Sequence, residues 1–143
     1  MENIGYFDTN NDIDKIMNIW LKSNLEAHPF VKASYWENNF KIVKEMISNS
    51  EIYVYKIDSI IVSFVGLSQN YIAGIFIEKE YRNQKIGFKL LQYIKNIKDE
   101  LILSVYEKNI KAYNFYIKNG FILKEKSLDK ENNEIEYILI WKK

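Results

Sequence analysis

A short basic turn lies between two apolar segments and reads Arg82-Asn-Gln-Lys-Ile-Gly87. The segment before it, residues 71–77, is rich in β-branched and aromatic side chains and predicts a strand, whereas residues 88–94 show helical periodicity. A turn that leads directly into a helix leaves the first backbone N–H groups of the helix without acceptors, and the helix dipole adds partial positive charge there. This pattern predicts a site for phosphate groups.

Basic residues are concentrated around the turn. Between residues 82 and 98 there is no carboxylate, although the whole chain has a formal net charge of only +1. We expect the basic side chains of this segment to attract an anion, namely Arg82, Lys85, Lys89, Lys95 and Lys98.

A second candidate group has helical spacing. Asn109, Ala112 and Tyr116 lie three and four residues apart, so they share one face of a predicted helix. A phenol in that position can donate a proton, but a tyrosine more often packs its ring and hydrogen-bonds its hydroxyl. Spacing alone leaves both roles of Tyr116 open.

Strands and helices of mixed order must position these residues. Predicted strands cover residues 4–7, 51–57, 60–67, 71–77, 101–106, 121–127 and 134–141. One helix ends before Pro29, a second opens with a capping box at Ser34 and Glu37, a third follows the basic turn, and a fourth is stopped by Gly120. This order predicts an α/β fold with a mixed, mostly antiparallel central sheet, a locally parallel crossover, and helices on both faces.

Composition limits the classes of protein. With 143 residues, 48% of them hydrophobic, and no linker, we expect one domain over residues 1–143. The chain has no cysteine, which excludes a zinc-thiolate site and a cysteine acyl-enzyme and suits a reducing compartment. No apolar run is long enough for a spanning helix, so we expect a soluble, cytoplasmic protein without a membrane partner. We also expect no metal, and the near-neutral charge makes nucleic acid an unfavoured partner.

Two motifs resemble those of a known family. The turn Arg82–Gly87 with Leu90-Leu91, and the pattern Asn109-x-x-Ala112-x-x-x-Tyr116-x-x-x-Gly120-Phe121, resemble the acyl-CoA-binding and C-terminal motifs of GNAT superfamily N-acetyltransferases. The segment of residues 20–30, with Tyr35-Trp36, is similar to small stand-alone bacterial members, some of which acetylate protein lysines. The resemblance implies a GNAT-like fold and transfer of an acetyl group from acetyl-CoA to a primary amine of a protein lysine, an N-terminus or a small molecule.

The resemblance also implies site roles. Tyr116 would be the general acid that protonates the departing CoA thiolate, and Asn109 would hydrogen-bond the cofactor or orient the site. The amine would attack directly in a ternary complex, without an acyl-enzyme. The implied cofactor-binding residues are Ile75, Phe76 and Ile77 on the strand, Arg82, Asn83, Gln84, Lys85, Ile86, Gly87 and Phe88 in the turn, and Asn109 and Tyr116.

Two positions depart from the family pattern. Lys85 stands where the family loop usually has its first glycine, so the loop either avoids a positive φ there or is strained. Ser104 stands where many relatives have a carboxylate, which leaves the general base unassigned. Strand alternation places Glu107 on the opposite face from Ser104, and a water relay is equally open.

Aromatic residues and the single histidine are candidates for the acceptor site. His28, Phe30, Tyr35 and Trp36 would line it, although a lone histidine at a helix end is more often a cap and aromatic residues are more often core. The acidic side chains of residues 131, 134 and 136 are expected on a solvated hairpin face.

Other functions remain open at this point. A non-catalytic acyl-CoA-binding regulatory module would fit the departure at Ser104. An acyltransferase acting on charged tRNA would need a wider basic face, which Asp99 and Glu100 interrupt. Both a monomer and a homodimer are compatible with the sequence.

Overall fold

The computed structural model describes all 143 residues as seven strands and four helices. The strands are β1 (Glu2–Tyr6), β2 (Glu51–Ile57), β3 (Ile60–Ser68), β4 (Tyr71–Ile77), β5 (Glu100–Tyr106), β6 (Ile122–Asp129) and β7 (Glu134–Lys142). The helices are α1 (Thr9–Ala27), α2 (Ala33–Ser48), α3 (Ile86–Ile97) and α4 (Ile110–Lys118), with a 3₁₀ turn at Lys79–Tyr81 between β4 and α3. None of the helices combines the length and apolarity needed to cross a bilayer.

The strands form a single sheet in the order β1-β2-β3-β4-β5-β7-β6. All neighbours are antiparallel except β4 and β5, which are joined through α3 and run parallel. This arrangement confirms the predicted mixed sheet with one parallel crossover.

Each face of the sheet buries its own apolar cluster. On one face, α1 and α2 pack over β2 and β3 through residues such as Ile16, Trp20 and Phe64. On the other face, α3 and α4 pack over β4 and β5 through residues such as Leu90 and Tyr116. Tyr116, the expected general acid, therefore lies on the sheet face opposite α1 and α2.

The connections include two turns with positive φ and one helix start that differs from the prediction. Asp58 and Ser59 adopt φ of 50° and 69° in the two-residue β2–β3 connection, and Gly120 has φ of 94° just after α4. The predicted capping box is wrong: α2 begins at Ala33 after Lys32, which makes no side-chain cap, so Ser34 lies within the first turn.

Candidate active site

A cleft opens where β4 and β5 separate. Their parallel pairing is limited to Tyr71 with Ile102 and Ile72 with Leu103. Directly after Ile72 the β3–β4 register shifts, which leaves Ala73 as an extra residue in β4. Such a bulge bends and twists the strand. The edge of β4 that faces β5 is therefore free from residue 74 to residue 77.

Backbone groups of alternate residues in β4 face this cleft. The N–H of Glu78 donates to the carbonyl of Val62 on β3 at 2.8 Å. Because successive residues in a strand direct their backbone groups to opposite edges, Ile75 and Ile77 direct theirs toward the cleft. Phe76 is turned the other way: its carbonyl accepts from the Ser63 hydroxyl at 2.8 Å.

The basic turn presents a row of free donors. The backbone N–H groups of residues 83–88 donate to no acceptor within the chain, and the first helical bond of α3 runs from Lys89 N to Lys85 O at 3.0 Å. Gly87 is buried against β4, where an added Cβ would lie 3.2 Å from Ile77 Cδ1. Free N–H groups at the start of a helix fit the oxygens of a pyrophosphate.

Two residues without the freedom of glycine hold this row in place. Asn83 and Lys85 have φ of 65° and 64°. Asparagine adopts this left-handed conformation readily, but for lysine it costs about 1–2 kcal/mol. The loop therefore adopts the positive φ at Lys85 that a glycine would take without strain.

Most basic side chains between residues 82 and 98 already contact other parts of the protein, because four of the five have partners within the chain. Lys85 alone has none. The pairs are Arg82 with Glu26, Lys89 with Glu2 and the Tyr55 hydroxyl, Lys95 with the Asn119 carbonyl, and Lys98 with Glu51. Carboxylates thus offset the charges of Arg82, Lys89 and Lys98, whereas Lys95 has only a neutral carbonyl as partner and keeps its charge. Attraction of an anion by this segment stays a prediction, and Lys85 is its cation without a partner.

Arg82 joins the turn to α1. One guanidinium nitrogen lies 2.6 Å from a carboxylate oxygen of Glu26, and two others lie 3.4 Å from the Ile77 carbonyl. The contact borders a groove of about 450 Å³ between α1 and the segment that connects the end of β4 to Arg82. Glu26 was missed by sequence reasoning, because nothing local marks one exposed glutamate of an amphipathic helix as a partner of a distant turn.

Tyr116 lies in the core below α4. Its side chain is only 6% exposed and packs against the rings of Phe115 and Phe121. Burial, and to a lesser degree the nearby Tyr71, raise the pKa of the Tyr116 phenol. The group is therefore protonated at neutral pH, as a general acid must be.

Asn109 is engaged at both ends of its amide. Its Oδ1 accepts from the N–H of Ala112 at 3.3 Å and so caps α4, while its Nδ2 lies 3.2 Å from His28 Nε2. His28 Nδ1 lies 3.1 Å from the carbonyl of Asn24. Burial lowers the pKa of His28 to about 4, so the ring is neutral at neutral pH.

The four predicted acceptor residues come together at the α1–α2 connection. His28 stacks on Trp36 with ring centroids 5.2 Å apart, and it meets Phe30 edge-on at 5.7 Å. Tyr35 packs edge-on against Trp36 at 4.9 Å. Trp36 is 8% exposed and thus belongs to the core, so the other three form the accessible part of this aromatic wall.

Sequence reasoning missed the residues that complete the wall. Tyr106, at the end of β5, meets both His28 and Phe30 edge-on and donates to Asp129 Oδ2 at 2.5 Å. Asn132 donates to the same carboxylate at 3.0 Å. Burial and the Asp129 hydrogen bond raise the pKa of Tyr106. The only sequence signal was alternation, which places Tyr106 on the same strand face as Ser104.

The carboxylates near the cleft differ in their surroundings. Glu107 accepts from the Tyr137 hydroxyl at 2.7 Å and is exposed. Glu134 is paired with Lys108 at 3.1 Å. Glu136 pairs across the sheet with Tyr106 and is half-buried, and burial together with the charge of Asp129 raises its pKa. The expectation of a solvated face is wrong for Glu134 and Glu136, whereas Glu131 is exposed.

Comparison with known proteins places this site in a family. A family model described as an acetyltransferase (GNAT) domain matches residues 48–123, which include the cleft, the turn and α4. The chain is 30% identical over 132 residues to the peptidyl-lysine N-acetyltransferase YiaC of Escherichia coli strain K12, covering 91% of this chain and 90% of that protein. It is 28% identical to the peptidyl-lysine N-acetyltransferase YjaB of Salmonella typhimurium over 109 residues, 76% of this chain and 75% of that one.

Solved structures share the fold. The apo solution structure of Escherichia coli YjaB has a TM-score of 0.86 at 23% identity, covering 99% of this chain and 97% of that chain. The PaiA N-acetyltransferase of Thermoplasma acidophilum, solved in complex with coenzyme A, has a TM-score of 0.85 at 20% identity, covering 100% of this chain and 99% of that chain.

Proposed function

Because the chain belongs to the GNAT acetyltransferase family, we propose that it transfers an acetyl group from acetyl-CoA to the side-chain amine of a protein lysine, by direct attack in a ternary complex. One observation carries this proposal: the free edge of β4 leads directly into the row of free N–H groups at residues 83–88. An extended ligand with a pyrophosphate at one end matches that combination of donors.

The cleft would hold the cofactor along its length. The carbonyl of Ile75 and the N–H of Ile77 would pair with the amide groups of the pantetheine arm, as an added strand would. The N–H groups of residues 83–88 would bind the pyrophosphate, with Lys85 as the one free cation beside them. The N-acetyltransferase PaiA, which shares this fold, was solved with coenzyme A bound.

Different residues of the chain would act on the carbonyl oxygen and on the leaving sulfur of acetyl-CoA. Acetyl-CoA supplies a thioester whose C–S bond breaks as the C–N bond to the amine forms. The N–H of Ile75 would donate to the carbonyl oxygen as negative charge develops on it. The Tyr116 hydroxyl, protonated because of burial, would give its proton to the leaving sulfur. Solvent water would take the proton that the attacking amine loses, since Ser104 offers no carboxylate.

A lysine acceptor is favoured by the relatives and by the aromatic wall. YiaC and YjaB are both peptidyl-lysine N-acetyltransferases. Phe30 and Tyr106 present apolar ring surface at 5.5 Å from one another, which suits the methylene stem of a lysine. The half-buried carboxylate of Glu136, on the same sheet face as Tyr106, would attract the ammonium group. Because the chain lacks cysteine, we further propose that it acts in the cytoplasm.

Amide NMR of the ¹⁵N-labelled protein tests the cofactor part of this proposal. Addition of coenzyme A should shift the signals of Ile75 and residues 83–88 most strongly. Coenzyme A without its pyrophosphate, namely free pantetheine, should shift Ile75 but not the turn. Shifts confined to other parts of the sheet, or none at millimolar ligand, would contradict the proposed site.

A further inference from the structure

His28 joins two parts of the molecule that are distant in sequence. It is the only histidine of the chain and caps the C-terminus of α1. Its ring reaches the N-cap residue of α4, Asn109, 81 positions further along the chain. The wall on the acceptor side and the helix that carries Tyr116 therefore meet at a single imidazole.

The hydrogen bonds fix the proton positions on this ring. The Asn24 carbonyl can only accept, so His28 Nδ1 carries the proton and donates to it at 3.1 Å. His28 Nε2 is then an acceptor, and it faces the Asn109 Nδ2 donor at 3.2 Å. With its amino group directed to His28, Asn109 keeps its oxygen for the N–H of Ala112.

Protonation of His28 would break this arrangement. A charged imidazole has a donor at each nitrogen, so Nε2–H would face the Asn109 amino group. The amide would have to turn over to accept from His28, and the N–H of Ala112 would lose its cap. An N-cap contributes about 1 kcal/mol to a helix.

We infer that His28 is a positioning residue, because its neutral imidazole holds the Asn109 amide in the orientation that caps α4. It thereby fixes the position of α4, which carries Tyr116, relative to the aromatic wall. The catalytic consequence rests on the proposed function, in which Tyr116 is the acid. The hydrogen-bond arrangement itself does not depend on it.

The surroundings of the ring support a neutral state. Trp36 stacks on one face, and Phe30 and Tyr106 meet the ring edge-on. The phenol of Tyr106 is the titratable group in contact, and its hydroxyl is directed to Asp129. The Nζ atom of Lys108 lies 5.5 Å from the centre of the Phe30 ring, which itself contacts His28. No carboxylate contacts the imidazole, so no negative charge opposes the effect of burial.

NMR of the single histidine tests the arrangement directly. In the wild-type protein the ring nitrogens should report the Nδ1–H tautomer, with a pKa well below 6.5. In Asn109→Asp the cap is kept, but a carboxylate replaces the donor, so the pKa of His28 should rise by about 1–3 units. Asn109→Ser is the matched control, because it keeps a capping oxygen without placing a charge at the ring. An Nε2–H tautomer, or a pKa that is the same in Asn109→Asp and wild type, would overturn the inference.

Kinetics test the positioning role. His28→Leu removes the acceptor while filling the space, and it should lower kcat about tenfold with the dissociation constant of acetyl-CoA unchanged. His28→Gln keeps an acceptor oxygen and should recover part of that loss. A His28→Leu variant with wild-type kcat would refute the role even if the tautomer is as expected. Failure of the wild-type protein to acetylate any lysine would instead refute the proposed function and leave the NMR result standing.

Discussion

Arg82 directs its guanidinium to Glu26, with 2.6 Å between the nearest nitrogen and oxygen, although Arg82 belongs to the turn that offers its N–H groups to phosphate. The side chain also reaches the Ile77 carbonyl from the cleft side. Arg82 thus holds α1, the end of β4 and the turn together. Its contribution to cofactor binding would be to place backbone donors rather than to contact the phosphates.

The contact between Arg82 and Glu26 predicts the effect of removing the charge of Glu26. Glu26→Gln should leave coenzyme A affinity almost unchanged and lower stability slightly. Because both side chains are partly exposed, a double-mutant cycle with Arg82→Gln should give a coupling of about 0.2–1 kcal/mol in the free energy of unfolding. The control is Asp14→Asn. Asp14 lies on α1, as Glu26 does, and its exposed carboxylate pairs with Lys44 of α2. Tighter coenzyme A binding in Glu26→Gln would show that the freed guanidinium contacts phosphate.

The left-handed conformation at Lys85 predicts that two small substitutions differ in their effect on stability. Lys85→Gly removes both the charge and the strain, whereas Lys85→Ala removes only the charge. The glycine variant should therefore be more stable than the alanine variant by about 1 kcal/mol, or about 2–4 °C in Tm. Differential scanning calorimetry measures the difference. Equal Tm values for the two variants would mean that the loop is not held in this conformation.

If the buried phenol of Tyr116 is the general acid, its removal should lower the rate of acetyl transfer without weakening the binding of acetyl-CoA. Tyr116→Phe should lower the rate of acetyl transfer by about 10²–10⁴-fold while the affinity for acetyl-CoA stays within a few-fold of wild type. Because burial raises its pKa, Tyr116 should not cause a decline in wild-type rate as the pH approaches 10. Single-turnover rates across the pH range test both points. Full activity in Tyr116→Phe would remove it from the role of acid.

The neutral, half-buried His28 predicts how stability depends on pH. Its folded pKa of about 4 lies below the value of about 6.5 in the unfolded chain, so the unfolded chain binds more protons between these values. The free energy of unfolding should thus fall as the pH drops through this window, by about 2 kcal/mol from pH 7.5 to pH 5 for this group alone. Urea unfolding of wild type and His28→Gln at both pH values isolates the effect. Parallel pH dependences in the two proteins would argue against a neutral histidine with a lowered pKa at this position.

The sequence predicted those parts of the site that depend on neighbours in the chain. The strand, turn and helix around Arg82–Gly87 follow from local periodicity, and the relation of Asn109 to Tyr116 follows from helical spacing. The positive φ at Lys85 was one of two open alternatives, because the sequence shows only that a glycine is absent.

Contacts between distant segments could not be predicted in this way. The pairs Arg82–Glu26 and His28–Asn109 join residues 56 and 81 positions apart, and only the folded sheet brings them together. The opening of the cleft depends on the bulge at Ala73, which is a property of the β3–β4 pairing and not of β4 alone. Glu136 looked solvated because its alternation with apolar residues fits a surface hairpin equally well.

The most direct test of the central claim is mass spectrometry of a lysine peptide incubated with the protein and acetyl-CoA carrying a ¹³C-labelled acetyl group. Wild-type protein should place the label on the lysine Nε atom and release free CoA in equal amount, and Tyr116→Phe should do so at least 100-fold more slowly. Coenzyme A binding without labelled peptide, across lysine peptides of varied flanking sequence, would contradict the account and identify the chain as a cofactor-binding module instead.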